Sequence, residues 1–238
     1  MCLHKIFYTL PQNANQMSVG LFFNKNALNI SVEGFYKKMR NLLEYRSPVD
    51  QNANLSNIEN IIAQNGIGEA YGLETQISHE SRIFKTNVSY ALSWNNRKFE
   101  QLNNGEWFPF IYDRRHNLSV LTTVVLNNNY SLNSNFILAS GSPITLPEAF
   151  VRSDDFFYQY LVYGKINNRR LPVYHRLDIS IEKTWTSVKN RKKHLVLNIY
   201  NVYAQKNPVT IYYDTRTGKT YKKTLFTIIP SLSYEVEF

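Results

Sequence analysis

The sequence predicts an all-β protein: an antiparallel, up-and-down transmembrane β-barrel segment of about nine strands, which is a partial barrel. Three observations predict this fold. Apolar and polar residues alternate along most of the chain, the connections are short and long in turn, and no apolar run reaches the roughly 18 residues that a membrane-spanning helix needs. The chain also has 17 Tyr and 14 Phe residues but only 9 Gly and 8 Pro, a composition that favours strands.

The alternation defines the strands in chain order. From residue 84 to residue 94 the even-numbered residues, such as Val88 and Trp94, are mostly apolar, and the odd-numbered ones, such as Asn87 and Ser89, are mostly polar. Such a strand has one face suited to lipid and one suited to water. The same period of two predicts strands at residues 17–24, 28–45, 68–78, 84–94, 116–126, 130–140, 176–182, 195–203 and 232–238.

The connections between these strands alternate in length. Short ones lie near residue 25 and at 80–81, 127–129 and 188–191, and long ones span 46–67, 95–112, 141–171 and 204–218. Strict alternation places all long loops at one rim and all tight turns at the other, as in an outer-membrane barrel with extracellular loops and periplasmic turns. A soluble β-sandwich, serving adhesion or structure, is the alternative, because its core would also produce alternating strands.

The last predicted strand ends the chain on an aromatic residue. One face carries Leu232, Tyr234, Val236 and Phe238, and the other carries only Ser and Glu residues. Outer-membrane β-barrels end in this way, with lipid on the apolar face and water on the polar one. The strand therefore indicates the outer membrane of a Gram-negative cell.

Four stretches of the chain carry a family resemblance. They are residues 68–74 (GEAYGLE), 112–118 (YDRRHNL), 198–203 (NIYNVY) followed by Asn207-Pro208, and 229–234 (IPSLSY). In their order and spacing they resemble the carboxyl-terminal half of the barrel of a TonB-dependent outer-membrane receptor of the type common in Bacteroidota. The resemblance extends over nearly the whole chain.

The resemblance implies a 22-stranded barrel, filled by an amino-terminal plug domain, that imports a scarce ligand such as a siderophore or a glycan. It implies that outer-membrane lipid surrounds the strands and that the TonB complex acts only through the plug. It also implies that Leu232, Tyr234, Val236 and Phe238 form a barrel-assembly signal for the barrel-insertion machinery. No cofactor is expected.

Parts of such a receptor are not recognisable in the sequence. Residues 1–11 do not resemble a signal peptide, and no plug domain precedes the first predicted strand. Nine strands are fewer than half of the barrel, and open sheet edges are prohibitive in lipid. We therefore expect residues 1–238 to be the carboxyl-terminal part of the barrel, a fragment whose missing strands and plug come from the same or an adjacent gene. An independent small outer-membrane barrel, porin-like or enzymatic, is the other alternative.

Aromatic and basic residues in the long loops are the predicted ligand contacts. Aromatic rings stack on sugars or ring-bearing siderophores, and guanidinium groups bind carboxylates or phosphates. An aromatic girdle or packing within the loops would explain the same rings. The candidates are Trp107, Phe108, Phe110, Tyr112, Phe156, Phe157, Tyr158, Arg169 and Arg170.

Motifs for other functions are not found in the sequence. The net charge of +9 is spread over short clusters with no nucleic-acid-binding motif, so no nucleic-acid partner is expected. The five histidines have no metal-ligand spacing, and no Gly-x-Ser-x-Gly elbow is present. His175 and Asp178 are separated by an odd number of positions, which places them on opposite faces of one strand. We therefore expect neither catalytic residues nor a metal site.

Overall fold

The computed structural model describes residues 9–46, 61–152, 159–188, 191–214 and 217–237, and these form sixteen strands and one short 3-10 turn, Asn103–Gly105. None of the described helical segments is long and apolar enough to cross a membrane. The strands are β1 (Asn13–Lys25), β2 (Leu28–Tyr45), β3 (Ile62–Glu80), β4 (Phe84–Lys98), β5 (Phe108–Pro109), β6 (His116–Val125), β7 (Tyr130–Ala139), β8 (Pro143–Ile144), β9 (Ala149–Arg152), β10 (Gln159–Val162), β11 (Arg169–Arg170), β12 (Tyr174–Thr186), β13 (Lys192–Tyr200), β14 (Pro208–Asp214), β15 (Lys219–Thr224) and β16 (Ile229–Val236).

Nine strands form one antiparallel sheet in which neighbours in space are neighbours along the chain. Their order is β1-β2-β3-β4-β6-β7-β12-β13-β16, and β5 pairs with the end of β4. The connections between them alternate between turns of two to five residues and loops of sixteen or more. The predicted up-and-down sheet of nine strands and the sorting of the connections are therefore confirmed.

Several predicted strand ends are wrong, mostly on the side of the long loops. β1 begins at Asn13 and β3 at Ile62, whereas the alternation placed these starts at 17 and 68. Because β2 and β3 stay paired beyond the length that crosses a bilayer, about 9–11 residues, they extend outward and carry the loops. β13 ends at Tyr200, not at 203, since Asn201 turns the chain with a φ of 56°. The short strands β8 to β11, β14 and β15 lie within predicted loops, where they pair the loop backbone internally.

The register gives the sheet one polar and one apolar face. Residues that face each other across neighbouring strands share a face, so Glu33 lies beside Glu74, while Leu73 lies beside Leu92 on the opposite side. Apolar side chains on this face are not covered by other parts of the described chain: Leu21 is 77% exposed and Leu232 is 67% exposed. An apolar face left open over nine strands is suited to lipid.

Aromatic residues form two rows on the apolar face. Near the long loops, Tyr36, Tyr71 and Trp94 lie side by side on three strands, and the rings of Tyr71 and Trp94 stack with centroids 5.4 Å apart. Near the short turns, Phe84 is ten residues from Trp94 along β4, a separation of about 34 Å along the strand. With the usual strand tilt this corresponds to a band about 25 Å tall, the height of the apolar belt of membrane barrels.

Both edges of the nine-stranded sheet are open in the described part of the chain. β1 pairs only with β2, and β16 pairs only with β13, so the sheet does not close on itself. Pro230 lies in this edge strand, where its missing N–H is tolerated. No described strand pair covers the apolar face as the second layer of a β-sandwich would, and the sandwich alternative is therefore wrong.

Candidate ligand-binding site

A hydrophobic cluster joins the long loops to the upper ends of the strands, which are the ends on the side of the long loops. The β4–β6 loop contributes Phe99 and Leu102, which pack against Leu42 of β2 and Ala63 of β3. Phe99 is 1% exposed and lies over Gly66, where a Cβ atom would approach the ring to 2.2 Å. The ring therefore requires a glycine below it, and the loop is held in a defined position above the sheet. Phe108 completes the cluster at 3% exposure.

A buried carboxylate, Asp113, connects two of the long loops. Its side chain is fully buried and accepts hydrogen bonds from the Asn95 N–H at 2.7 Å and from Arg115 Nε at 3.0 Å. Arg170, from the β7–β12 loop, forms an ion pair with the same carboxylate and donates to the carbonyls of Asp113 at 2.7 Å and Gly141 at 3.2 Å. Two guanidinium groups and one backbone donor thus compensate the buried charge.

Asparagine side chains form a second connection between these loops. Asn103 Oδ1 accepts from the Ile166 N–H at 2.7 Å, its Nδ2 donates to the Ile166 carbonyl at 3.1 Å, and Asn167 Nδ2 donates to the Pro109 carbonyl at 2.8 Å. At the surface Lys165 pairs with Glu106, and this hydrogen bond, with the lysine charge, lowers the pKa of the Glu106 carboxyl below its ordinary range. The two loops therefore behave as one layer.

The loop layer leaves an open cleft of about 870 Å³. Arg97 lies in its wall: Nη1 donates to Glu44 Oε2 at 2.9 Å, and the guanidinium lies 3.3 Å from the centroid of the Phe110 ring. Arg114 donates from Nε to Ser142 Oγ at 2.9 Å, and no other described residue accepts a hydrogen bond from its two terminal nitrogens. Tyr112 is 75% exposed at the cleft and meets Phe110 edge to face at 5.1 Å. The cleft thus combines aromatic rings with a positive charge.

The polar face of the sheet continues below the cleft as a wall. A shallow hollow of 540 Å³ lies on it, lined in part by Ser31, Gln76 and Asn117. Glu33 and Glu74 face each other there in register, and neither carboxylate has a hydrogen bond or an ion pair with another described residue. Arg97 and Tyr174 lie on the same face at the upper ends of β4 and β12, so the wall leads into the cleft.

The family model for TonB-dependent receptor-like β-barrels matches residues 7–202 of this chain. The chain belongs to the TonB-dependent receptor family. Its apolar band and aromatic rows are therefore those of an outer-membrane barrel, and its long loops and cleft lie at the extracellular rim.

Solved receptor structures show the same fold at low sequence identity. The ferric-catecholate import receptor Fiu of E. coli K12 is 12% identical with a TM-score of 0.60 over 96% of this chain and 28% of that chain. The ferripyoverdine receptor of Pseudomonas aeruginosa is 12% identical, with a TM-score of 0.58, over 95% of this chain and 27% of that one. The copper transporter OprC is 14% identical, with a TM-score of 0.57, over 96% of this chain and 32% of that one. The chain thus spans between 27% and 32% of the length of these receptors. No curated protein sequence matches it.

The predicted ligand-contact residues have several different environments. Phe110 and Tyr112 line the cleft, whereas Trp107 is 46% exposed and lies outside its lining. Phe108 is buried in the hydrophobic cluster and Arg170 is engaged with Asp113. Arg169 is exposed on β11 and donates to the carbonyl of Asn168 at 3.3 Å. Phe156, Phe157 and Tyr158 lie outside the described residues.

The predicted assembly residues lie on the terminal strand of the sheet. Leu232, Tyr234 and Val236 share the lipid-facing side of β16, and Phe238 lies outside the described residues. The cleft is also lined by Glu44, Arg97 and Arg114, which were not among the predicted ligand contacts. Arg114 had a signal in its position two residues after Tyr112, but the pairing of Arg97 with Glu44 joins residues 53 positions apart. Among the described residues there is no group of three or more His, Cys, Asp or Glu side chains that could hold a metal ion.

Proposed function

We propose that this chain supplies nine neighbouring strands and part of the ligand site of a receptor that imports a scarce ligand, such as a siderophore or a glycan, across the outer membrane. In this proposal other strands pair with β1 and β16 to close the barrel, a plug domain fills it, and the TonB complex acts on the plug. The chain itself performs no catalytic step. The open sheet edges support the proposal, because their unpaired backbone groups cannot remain exposed to lipid.

The cleft is the observation that carries the proposed binding role. It lies at the extracellular rim, its loops are held by the Asp113 network, and it leads onto the polar wall of the barrel. Sites of this kind are concave, mostly apolar and fitted with a few polar groups that orient the ligand. Phe110 and Tyr112 supply the apolar surface, and Arg114 supplies the orienting charge.

The charge of the cleft favours an anionic ligand. Glu44, the acidic side chain of the lining, already pairs with Arg97 at 2.9 Å, and Arg114 carries a charge that Ser142 does not neutralise. A chelate or a sugar acid would present carboxylate or phenolate oxygens to this guanidinium. Tyr112 would stack on a ring of the same ligand.

The facing carboxylates Glu33 and Glu74 support the proposed plug. Two like charges opposite each other on neighbouring strands destabilise a sheet unless a cation lies between or above them. A plug that places an Arg or Lys side chain at this position would neutralise both groups. The plug would then occupy the hollow on the polar wall.

The test measures binding by the intact receptor, with plug and all strands, purified in detergent. The probes are a ferric catecholate, ferripyoverdine and Cu²⁺, which are the ligands in the names of the similar receptors, together with an acidic oligosaccharide. We expect Arg114→Gln to weaken binding of the anionic probe that binds by about tenfold, since a charge-assisted hydrogen bond contributes roughly 1.5 kcal/mol. Tyr112→Ala should weaken it by about fivefold through lost stacking.

Arg82→Gln is the matched control for Arg114. It removes the same charge from an exposed residue of the β3–β4 turn, at the opposite rim. The control should bind the probe as the unmodified receptor does. Binding that is equal in Arg114→Gln and Arg82→Gln would exclude the cleft as the ligand site, and binding of no probe with normal surface display would contradict the proposed ligand class.

A further inference from the structure

Two lysines and three aromatic rings form a cluster on the lipid-facing side near the short turns. Lys183 Nζ lies 5.4 Å from the ring centroid of Tyr130 and 5.6 Å from that of Trp185. Lys193 Nζ lies 5.9 Å from the ring of Tyr234, which in turn lies 6.1 Å from Trp185. We call these five residues the lysine–aromatic cluster. It spans four neighbouring strands, β7, β12, β13 and β16.

The register places the whole cluster on the apolar face. Lys183 pairs with Tyr130 on β7, and Trp185 pairs with Lys193 on β13. The two lysines are therefore diagonal neighbours on one face, two residue pairs apart along β12 and β13. Both lysines are half-buried. Lysines at a membrane interface commonly bury the methylene stem and keep the ammonium group in water.

Neither ammonium group of the cluster has an acidic partner in the described part of the chain. Glu182 is adjacent to Lys183, and Glu237 is adjacent to Val236, the cross-strand partner of Lys193; both carboxylates lie on the polar face, where they approach His194. Tyr130, Trp185 and Tyr234 attract a cation through their ring faces but do not neutralise its charge. The cluster therefore presents two positive charges, without an acidic partner among the described residues, at the border between apolar side chains and water.

We propose that the lysine–aromatic cluster binds the headgroup of an anionic phospholipid in the periplasmic leaflet of the outer membrane. The short turns mark the periplasmic side, so the cluster lies at the depth of phospholipid headgroups. The two ammonium groups bind the phosphate oxygens, while the rings of Trp185 and Tyr234 pack against the glycerol and the first methylene groups. Charge complementarity selects an anionic lipid over a zwitterionic one of the same size.

The experiment is native mass spectrometry of the intact receptor in detergent, titrated with phosphatidylglycerol and, separately, with phosphatidylcholine. We expect a phosphatidylglycerol-bound population that phosphatidylcholine does not match. Lys183→Gln and Lys193→Gln should each weaken phosphatidylglycerol binding by about fivefold, the effect of one basic residue at an anionic surface. Replacement of both lysines by Arg should retain binding, because the charge is kept.

Lys192→Gln is the matched control, since Lys192 is adjacent to Lys193 on β13 but on the polar face. It should bind phosphatidylglycerol like the unmodified receptor. Equal binding of the two lipids, or an equal loss in Lys192→Gln and Lys193→Gln, overturns the proposal. If the Gln variants do not assemble, the unmodified receptor decides: phosphatidylglycerol binding that does not weaken between low and high salt also overturns it.

Discussion

Arg170 donates a hydrogen bond of 2.7 Å to the backbone carbonyl of Asp113 and forms an ion pair with its carboxylate, although 57 positions separate the two residues. The pair connects the β7–β12 loop to the β4–β6 loop, and Arg115 approaches the same carboxylate. This buried charge is therefore one of the connections that hold the extracellular layer together. Its removal leaves two guanidinium groups without their partner.

Asp113→Asn is expected to lower the free energy of unfolding by roughly 2–3 kcal/mol. This is less than the loss for a fully enclosed pair, because Arg115 and Arg170 are each about a third exposed. Unfolding of the refolded barrel in guanidinium chloride measures this loss of free energy. Protease cleavage within the β7–β12 loop should also become faster. Glu80→Gln, which breaks the exposed pair with Lys85, should leave both measurements unchanged; a similar loss in both variants would contradict the role of Asp113.

Gly141→Ala should disrupt the β7–β12 loop. A Cβ atom at this position would lie 1.6 Å from the carbonyl oxygen of Leu171, and a backbone atom cannot move aside as a side chain can. We expect a loss of roughly 1–3 kcal/mol by overpacking, measured by guanidinium unfolding. Gly34→Ala is the control, since no atom lies within 4 Å of its added Cβ. If the two variants were equally stable, the close approach at Gly141 would have no energetic importance.

Neutralising either Glu33 or Glu74 should stabilise the barrel when the plug is removed. Each single Gln variant relieves the same cross-strand repulsion, an effect of about 0.2–1 kcal/mol, so the double variant should gain little more. In the intact receptor the same changes should loosen the plug, detected as faster proteolysis of the plug. Additive gains in the barrel would indicate that the two carboxylates do not interact.

The surface pair of Glu106 and Lys165 should help to hold the two loops together only at pH values at which the Glu106 carboxylate is ionised. The pKa of Glu106 is lowered in the folded protein from its ordinary value of 4.5, so the contribution is full above that value and is lost as pH falls through the folded pKa. Protease cleavage of the loops, followed between pH 6 and roughly pH 3 with an acid-tolerant protease, should increase in this window. Lys165→Gln should make protease cleavage of the loops less dependent on pH, because the pair is absent. If cleavage depends on pH equally in the variant and in the unmodified receptor, other groups cause the dependence.

The terminal strand is predicted to carry the assembly signal for the barrel-insertion machinery. Leu232→Asp or Phe238→Asp should reduce surface display of the complete receptor while synthesis is unchanged. The alternation of the sequence predicts that both positions face lipid, where a charge costs roughly 1–2 kcal/mol of insertion free energy. Ser233→Asp places the same charge on the polar face of β16 and should be tolerated. Normal display of the Leu232 and Phe238 variants would exclude the signal.

The long-loop layer was the part of the fold that the sequence predicted least well. Phe108 and Arg170 belong to an aromatic and basic loop sequence that suggests ligand contacts, yet Phe108 packs in the cluster and Arg170 pairs with Asp113. Such roles follow from contacts between segments more than 50 residues apart, and loop residues have no periodicity from which a face can be inferred. Phe110 and Tyr112, by contrast, line the cleft as an edge-to-face pair in which Phe110 is half-buried and Tyr112 is exposed.

The sequence by itself determined the nine strands, their up-and-down order and the two faces of the sheet. A side-chain period of two is a local property of extended backbone, so alternation between Leu or Val and Ser or Asn predicts which residues face lipid without knowledge of their neighbours. Only the tertiary structure decided that Glu33 faces Glu74, that Lys183 lies between Tyr130 and Trp185, and that Asp113 connects two loops. These relations depend on register and on loop closure over long separations, because a shift of one residue between strands would exchange every partner.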